Sequence, residues 1–298
     1  MTHIPATSTD FRLWHRLRVR WAEVDMQKIV FNGHYLMYFD NAMGDYWRAL
    51  ALPYEAAMQQ LGGDLYVKKA SVEYFGSACY DDLLNVGLRC RRIGNSSITM
   101  DGVIDRGDTR LITCELVYVY ANPATQTPQP VPTVLRAIFD AYEAGESMVD
   151  LRTGSWAEWG ALISPLRAAV FVEEQGIDAS LEWDASDATA VHAVACNRLG
   201  QAVATGRLLH HAPGVARIGR MAVARPLRGS QLGRSVLQAL EGTAQVRGDT
   251  EVVLHAQCSA EDFYTRNGYV VQGAVFEVAG IRHIAMQKRL LASETHRS

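Results

Sequence analysis

The chain has 298 residues, 48% hydrophobic and 20% charged, with a formal net charge of −3. A length near twice that of a typical domain suits two domains, and the charge balance offers no footprint for nucleic acid or a polybasic membrane patch, which leaves small molecules as partners. The five cysteines lack any Cys-x-x-Cys spacing and the nine histidines include no metal-spaced pair, a pattern of reduced core thiols in a cytoplasmic protein without metal.

Met1 to Asp10 lacks the apolar run of a signal peptide, and no later run approaches membrane-spanning length. Arg18 to Asp25 alternates polar and apolar like a strand that ends in a turn. From Asn32 to Leu50, the residues Leu36, Phe39, Met43, Trp47 and Leu50 recur at helical spacing, and Tyr35, Tyr38, Ala42 and Tyr46 widen the apolar face. A helix this apolar must be enclosed. Tyr66–Tyr74, Leu83–Arg91, Ser97–Asp105 and Arg110–Ala121 have strand patterns, so the economical arrangement is a long helix under a curved antiparallel sheet. The Pro- and Thr-rich stretch Ala121–Pro132 precedes a helical segment, Thr133–Ala144. The aperiodic residues 146–154 are assigned to a linker between domains at 1–145 and 155–298.

In the second half, Thr189–Ala195 has the pattern of an apolar strand, with His192 as a satisfied core histidine, and His210-His211 before Ala-Pro-Gly suggests a solvated turn. Arg217 to Arg234 runs from an apolar strand through a basic, glycine-bearing turn into a helix. Gly229 and Gly233 allow a tight turn, and backbone N–H groups at the helix start can then point at a diphosphate.

Three segments of the first half carry a resemblance: Arg20-Trp-Ala-Glu-Val-Asp25, Ile29-Val-Phe-Asn-Gly-His-Tyr35 and Gly94-Asn-Ser-Ser97. Over roughly residues 12–140 the chain resembles the hotdog-fold acyl-CoA thioesterases of the 4-hydroxybenzoyl-CoA and YbgC-like type. The resemblance implies an antiparallel sheet around a long helix, Asp25 as catalytic carboxylate, and the backbone N–H of Asn32 as the group polarising the thioester carbonyl. It further implies Gly94, Asn95, Ser96 and Ser97 near CoA, and a homodimer or homotetramer built through this domain. Lys28 stands where many members carry Gly. The chemistry is coherent on its own terms, because a carboxylate can activate water or attack directly while N–H groups at a helix start stabilise the oxyanion. His34 in the first helical turn is expected to pack or face solvent.

In the second half, Arg228-Gly-Ser-Gln-Leu-Gly233 resembles the pyrophosphate loop of the GNAT acyltransferases, with Gln231 where the family has its middle Gly. Leu166–Gln175, Asp262–Tyr269 and Gly280–Met286 add matches to the ElaA-like branch. The resemblance implies a mixed α/β domain that binds acetyl-CoA or another acyl-CoA through Arg228, Gly229, Ser230, Gln231, Leu232, Gly233 and Arg234. Met221 and Val223 would offer backbone groups to the pantetheine arm, and Tyr264 a proton to the CoA sulfur. Glu182 is the leading choice for the base acting on an unidentified amine. Glu174 and Asp184 are alternatives, and His255 and His283 rank lower. Arg207 and Arg220 either orient substrate or pair with acids. The whole is expected to be an α+β fusion, hydrolysing acyl-CoA in one half and transferring an acyl group to an amine in the other. The alternative is a GNAT acetyltransferase whose hotdog domain dimerises or senses acyl-CoA without catalysis.

Overall fold

The computed structural model describes residues 10–290. The opening stretch read above for a leader lies, up to Thr9, outside the described residues. The chain divides into two compact units between Met148 and Val149.

In the first unit, five strands form one antiparallel sheet: β1 (Leu13–Arg18), β2 (Asp64–Tyr74), β3 (Leu83–Ile93), β4 (Ser97–Arg106) and β5 (Thr109–Ala121), in the order β1-β3-β4-β5-β2. Helix α1 (His34–Ala49) packs against it through Tyr35, Tyr38, Phe39, Ala42, Met43, Tyr46 and Trp47, the face expected from the spacing, while Leu36 lies on the outer side. Sheet and helix come so close at β4 that a Cβ on Gly102 would lie 2.5 Å from the Phe39 ring. Two shorter helices, α2 (Tyr54–Leu61) and α3 (Thr133–Glu143), complete the unit; α2 has too short an apolar pattern to stand out in the sequence.

The alternation over Arg18–Asp25 does not produce a strand. After β1, Trp21–Glu23 form a 3₁₀ turn, because the Glu23 carboxylate turns inward to accept hydrogen bonds from the Arg20 N–H (2.8 Å) and the Tyr38 hydroxyl (2.8 Å).

The second unit begins inside the stretch assigned to the linker. Val149–Gly154 is strand β6, hydrogen-bonded along its length to β7 (Val191–Asn197), a pairing across more than 35 residues that no local pattern announces. With β8 (Ala202–Ala212), β9 (Val215–Val223), β10 (Glu251–Gln257), β11 (Val270–Val278) and β12 (Ile281–Arg289) it makes a seven-stranded sheet in the order β11-β12-β10-β9-β8-β7-β6. His210 and His211 lie within β8, not in a turn; the chain reverses at Pro213-Gly214 instead. Helix α4 (Trp156–Arg167) opens with a capping box between Ser155 and Glu158 and runs into a π-helical segment at Ala168–Glu174. Short α5 (Ala179–Glu182), α6 (Leu232–Arg247) and α7 (Glu261–Arg266) follow. Val236, Leu237, Leu240 and Ala244 of α6 are buried in one cluster with Ala216, Ile218, Val252 and Leu254 of the sheet.

Every neighbouring pair in this sheet is antiparallel except β9 and β10, which run parallel over Val215–Ile218 and Glu251–Leu254 only. Beyond these residues the two strands part, leaving a fork in the middle of the sheet. A β-bulge in β9 follows at once, with Arg220 at φ 52°.

Candidate functional site

In the first unit the turn after Glu23 carries Asp25, which lines an open cleft of about 450 Å³ with Trp21, Val24, Lys28 and Tyr80. The turn is closed by hydrogen bonds from Lys28 N to Asp25 O and from Asp25 N to Ile29 O, both 2.9 Å. Asp25 Oδ1 accepts only the Gln27 N–H, at 2.7 Å, and its other oxygen has no hydrogen-bond partner among the described residues. Lys28 sits at φ 63°. That is the left-handed region in which glycine is strain-free, which explains physically why Gly is the usual residue here.

Glu23, which sequence reasoning passed over, fixes this turn. Burial alone would raise its pKa, but the Arg20 N–H, the Tyr38 hydroxyl and the Arg20 guanidinium bring it below the usual carboxylate range. Its signal in the sequence was an acid placed on the apolar side of an alternating run.

Asn32 precedes α1, and its N–H has no acceptor among the described residues. It does not line the Asp25 cleft of the same chain. His34 packs edge-on against Phe31. At the other expected contact, Arg136 on α3 donates to the carbonyls of Ile93 (3.1 Å), Gly94 and Asn95 (2.9 Å), and the Tyr120 N–H donates to that of Ser96 (2.8 Å). With its carbonyls drawn inward, the Gly94–Ser97 turn keeps the N–H groups of Asn95 and Ser96 without acceptors among the described residues.

In the second unit the loop before α6 has the expected form. Gly229 lies at φ 88° and Gln231, in place of the family's Gly, at φ 69°. The N–H groups of Gln231, Leu232, Gly233 and Arg234 have no acceptor among the described residues, as an anion cradle at a helix N-terminus requires. Ser230 turns its hydroxyl back onto the Leu227 carbonyl at 2.5 Å. A Cβ on Gly233 would sit 3.4 Å from Val223 and 3.6 Å from Phe263, which is room for a methyl group and little more.

The two loop arginines separate. Arg228 is held by Glu174 through two hydrogen bonds of 2.6 and 2.7 Å, and its Nε reaches the Val223 carbonyl at 3.3 Å, so it braces the loop. Arg234 is exposed and has no carboxylate partner among the described residues. Because Val223 O is already engaged, Met221 in the bulge, opposite the fork, keeps the freer backbone groups. Tyr264 on α7 is 8% exposed, its hydroxyl has no hydrogen-bond partner among the described residues, and burial pushes its pKa up to about 12. It therefore stays protonated at neutral pH.

The assignment of Glu182 as base needs correction. The carboxylate is buried and receives Arg167 Nε at 2.5 Å on one oxygen and Arg220 Nε at 3.1 Å on the other. Arg167 also binds Asp187 (2.8 Å), which shares Arg207 (2.8 Å) with Asp184 (2.8 Å). Three arginines and three acids thus form one closed network, with Arg167 stacked under Trp183 and Trp156 at 4.7 and 5.4 Å. Burial raises the pKa of Glu182 despite its arginines, and with both oxygens against guanidiniums the buried carboxylate offers no open face to an incoming amine. Glu174, occupied by Arg228, and Asp184, occupied by Arg207 and Arg220, are engaged in the same way. His192 is a satisfied core histidine, with Nε2 3.0 Å from the Asp187 carbonyl.

Among the described residues no cluster of His, Cys, Asp and Glu could hold a metal, and no helix is long and apolar enough to cross a membrane. Cys79 is exposed while Cys114 is buried, so the thiols are not uniformly core.

Two family models match the chain: Thioesterase superfamily over residues 27–113 and Acetyltransferase (GNAT) domain over 163–290. The protein YyaT of Bacillus subtilis is 30% identical over 132 residues, which are 42% of this chain and 85% of that protein. An Aquifex aeolicus protein described as "Putative esterase" is 30% identical over 94 residues, 32% of this chain and 73% of that protein. A crystal structure of a "putative N-acetyltransferase" from Lactobacillus plantarum shares 33% identity, covering 49% of this chain and all of that one with a TM-score of 0.46. The chain belongs to the thioesterase superfamily through its first unit and to the GNAT acetyltransferases through its second.

Proposed function

We propose that the protein is a two-activity acyl-CoA enzyme of the cytoplasm, a thioesterase followed by an N-acyltransferase. The observation that carries the reading is the pair of donor-lined sites. In the first unit Asp25 faces a cleft; in the second, four unpaired N–H groups at the start of α6 lie beside a forked sheet.

In the hydrolase, Asp25 activates water or attacks the thioester carbon itself, and a free N–H such as that of Asn32 stabilises the oxyanion. Because Asn32 does not line the Asp25 cleft of its own chain, the complete site takes its donor from a second copy. Strand β2 is an open sheet edge with Tyr66, Val67 and Tyr74 exposed along it, which suits edge-to-edge pairing in a homodimer. The Gly94–Ser97 turn then contributes to CoA binding near Asp25 of the other subunit.

In the transferase, the N–H groups from Gln231 to Arg234 and the Arg234 guanidinium hold the diphosphate, and the pantetheine arm lies in the fork beside Met221. The amine nitrogen attacks the thioester carbon, a C–N bond forms and the C–S bond breaks. A base takes the amine proton, and Tyr264 gives its own to the departing sulfur.

A panel of acyl-CoAs assayed for thiol release and N-acyl product, with and without amines, tests both halves. Amine-independent thiol release and amine-dependent N-acylation are both expected. Transfer without any hydrolysis would leave the hotdog unit as a dimerising or sensing module, the reading that Lys28 in the Asp25 cleft favours.

A further inference from the structure

With Glu182, Glu174 and Asp184 all occupied by arginines, the second unit needs another group to deprotonate the acceptor, and the place to look is the apex of the fork. There one face of the sheet is closed by the α6 core, with Leu254 and Ala256 buried. The opposite face is open: a Cβ built on Gly219, one residue beyond the last β9–β10 pair, would meet nothing within 4 Å. His255, the first residue of β10 past that pair, is exposed on this face.

Two histidines flank the opening in fixed and opposite tautomers. Arg217 Nη2 lies 3.0 Å from His255 Nδ1, and because a guanidinium can only donate, Nδ1 accepts and the proton of neutral His255 resides on Nε2. His283 Nδ1 lies 2.8 Å from the carbonyl of Ile281, which can only accept, so Nδ1 carries the proton and Nε2 keeps its lone pair. His283 pairs with Gln257 and His255 with Ala285 across the same two strands, so both project from one face, and the Phe276 ring contacts both imidazoles. Arg217 has no carboxylate partner among the described residues. Burial, then the Arg217 guanidinium, hold the His255 pKa below its ordinary value.

We propose that this face is the acceptor site, that His283 Nε2 is the base taking the amine proton, and that Arg217 with His255 Nε2–H binds a carboxylate on the same acceptor. This rests on the transferase reading. The substrate class is a small amine bearing a carboxylate a few ångströms away, since cross-strand diagonal neighbours lie about 7–8 Å apart. His283 passes the proton to water, and Tyr264 protonates the sulfur, so the step balances.

The full-length protein is assayed with acetyl-CoA and small amino acids, each beside the amine left when its carboxylate is removed. N-acetyl product is counted by mass spectrometry, so that hydrolysis does not register. The amino acids should win by about tenfold or more in kcat/KM. Arg217→Gln should erase that preference through KM. His283→Gln should lower kcat by about 10²-fold with CoA affinity, measured by calorimetry, unchanged, and His283→Ala should be partly rescued by added imidazole. Acetylation without preference for the carboxylate, or a His283→Gln enzyme with undiminished kcat, or a His283→Ala enzyme that imidazole leaves inactive, overturns the proposal while the transferase reading stands. A wild-type protein that binds CoA yet acetylates no amine overturns the transferase reading itself.

Discussion

Asp25 in the first unit and Glu182 in the second are acids of the same chemical kind, each expected to serve a reaction, and the fold treats them in opposite ways. Asp25 hangs on a turn beside an open cleft with one backbone hydrogen bond, whereas Glu182 is buried between two guanidiniums. A carboxylate does chemistry when an accessible oxygen is left over after its structural partners are counted. Asp25 has one to spare, and Glu182 does not. In the first unit the structural duty falls on a neighbouring acid, Glu23, which frees Asp25; in the second the network of Arg167, Arg207 and Arg220 absorbs all three nearby acids.

The largest effect that would break this comparison is kinetic. Asp25→Asn should lower amine-independent thiol release by about 10²- to 10⁴-fold and leave N-acylation intact. Tyr264→Phe should do the reverse, reducing transfer with CoA affinity preserved, because in the proposed mechanism only the proton donor to sulfur is lost. A double assay on both variants in which each loses both activities would show that the two units do not act separately.

Next comes the network itself. Arg167→Leu leaves Glu182 and Asp187 buried with half their partners, so the second unit should lose about 3–5 kcal/mol in denaturant unfolding. Arg20→Gln, whose side chain is largely exposed, should cost clearly less, because the buried Glu23 keeps its hydrogen bonds from the Arg20 N–H and the Tyr38 hydroxyl. Equal losses would contradict the distinction between a network buried throughout and a pair whose cation is exposed.

A smaller, pH-dependent effect follows from the same acids. Burial would raise the pKa of Asp184, but Arg207 and Ser186 bring it down to about 2, and Asp187 is also lowered. A depressed carboxylate contributes stability above its unfolded pKa of about 3.9, which is lost as pH falls through its folded value. Glu182, raised by burial, has the opposite sign and offsets part of this. Fluorescence of Trp156 and Trp183, which contact Arg167, should therefore report loss of the second unit between about pH 4 and pH 2. A transition centred near neutral pH would refute the sign.

The smallest effect sharpens a similarity between the units. Lys28 and Gln231 both occupy left-handed backbone, at φ 63° and 69°. Lys28→Gly and Gln231→Gly should each be neutral to stabilising by up to about 1 kcal/mol, the relief of strain exceeding the added chain entropy. A clear loss of stability on thermal melting would mean that these side chains hold their loops by contacts that outweigh the strain.

Much of the fold was legible because it is written in local patterns. The helical spacing from Tyr35 to Trp47, the strand alternation of Arg110–Ala121, and the Gly-bearing turn from Arg228 to Gly233 each depend on neighbours a few residues away. Strand β6 was not legible, since its order comes from pairing with β7, and neither was the 3₁₀ turn at Trp21–Glu23, whose cause is Tyr38 on a different element.

The sequence by itself determined the two families, the glycine-bearing cradle and the presence of acids, arginines and histidines in suitable numbers. Tertiary structure alone decided which of them remain available. Arg228 is claimed by Glu174 from 54 residues away and Glu182 by Arg220 from 38. Availability is a count of unpaired donors and acceptors in space, and the partners that settle the count lie far along the chain.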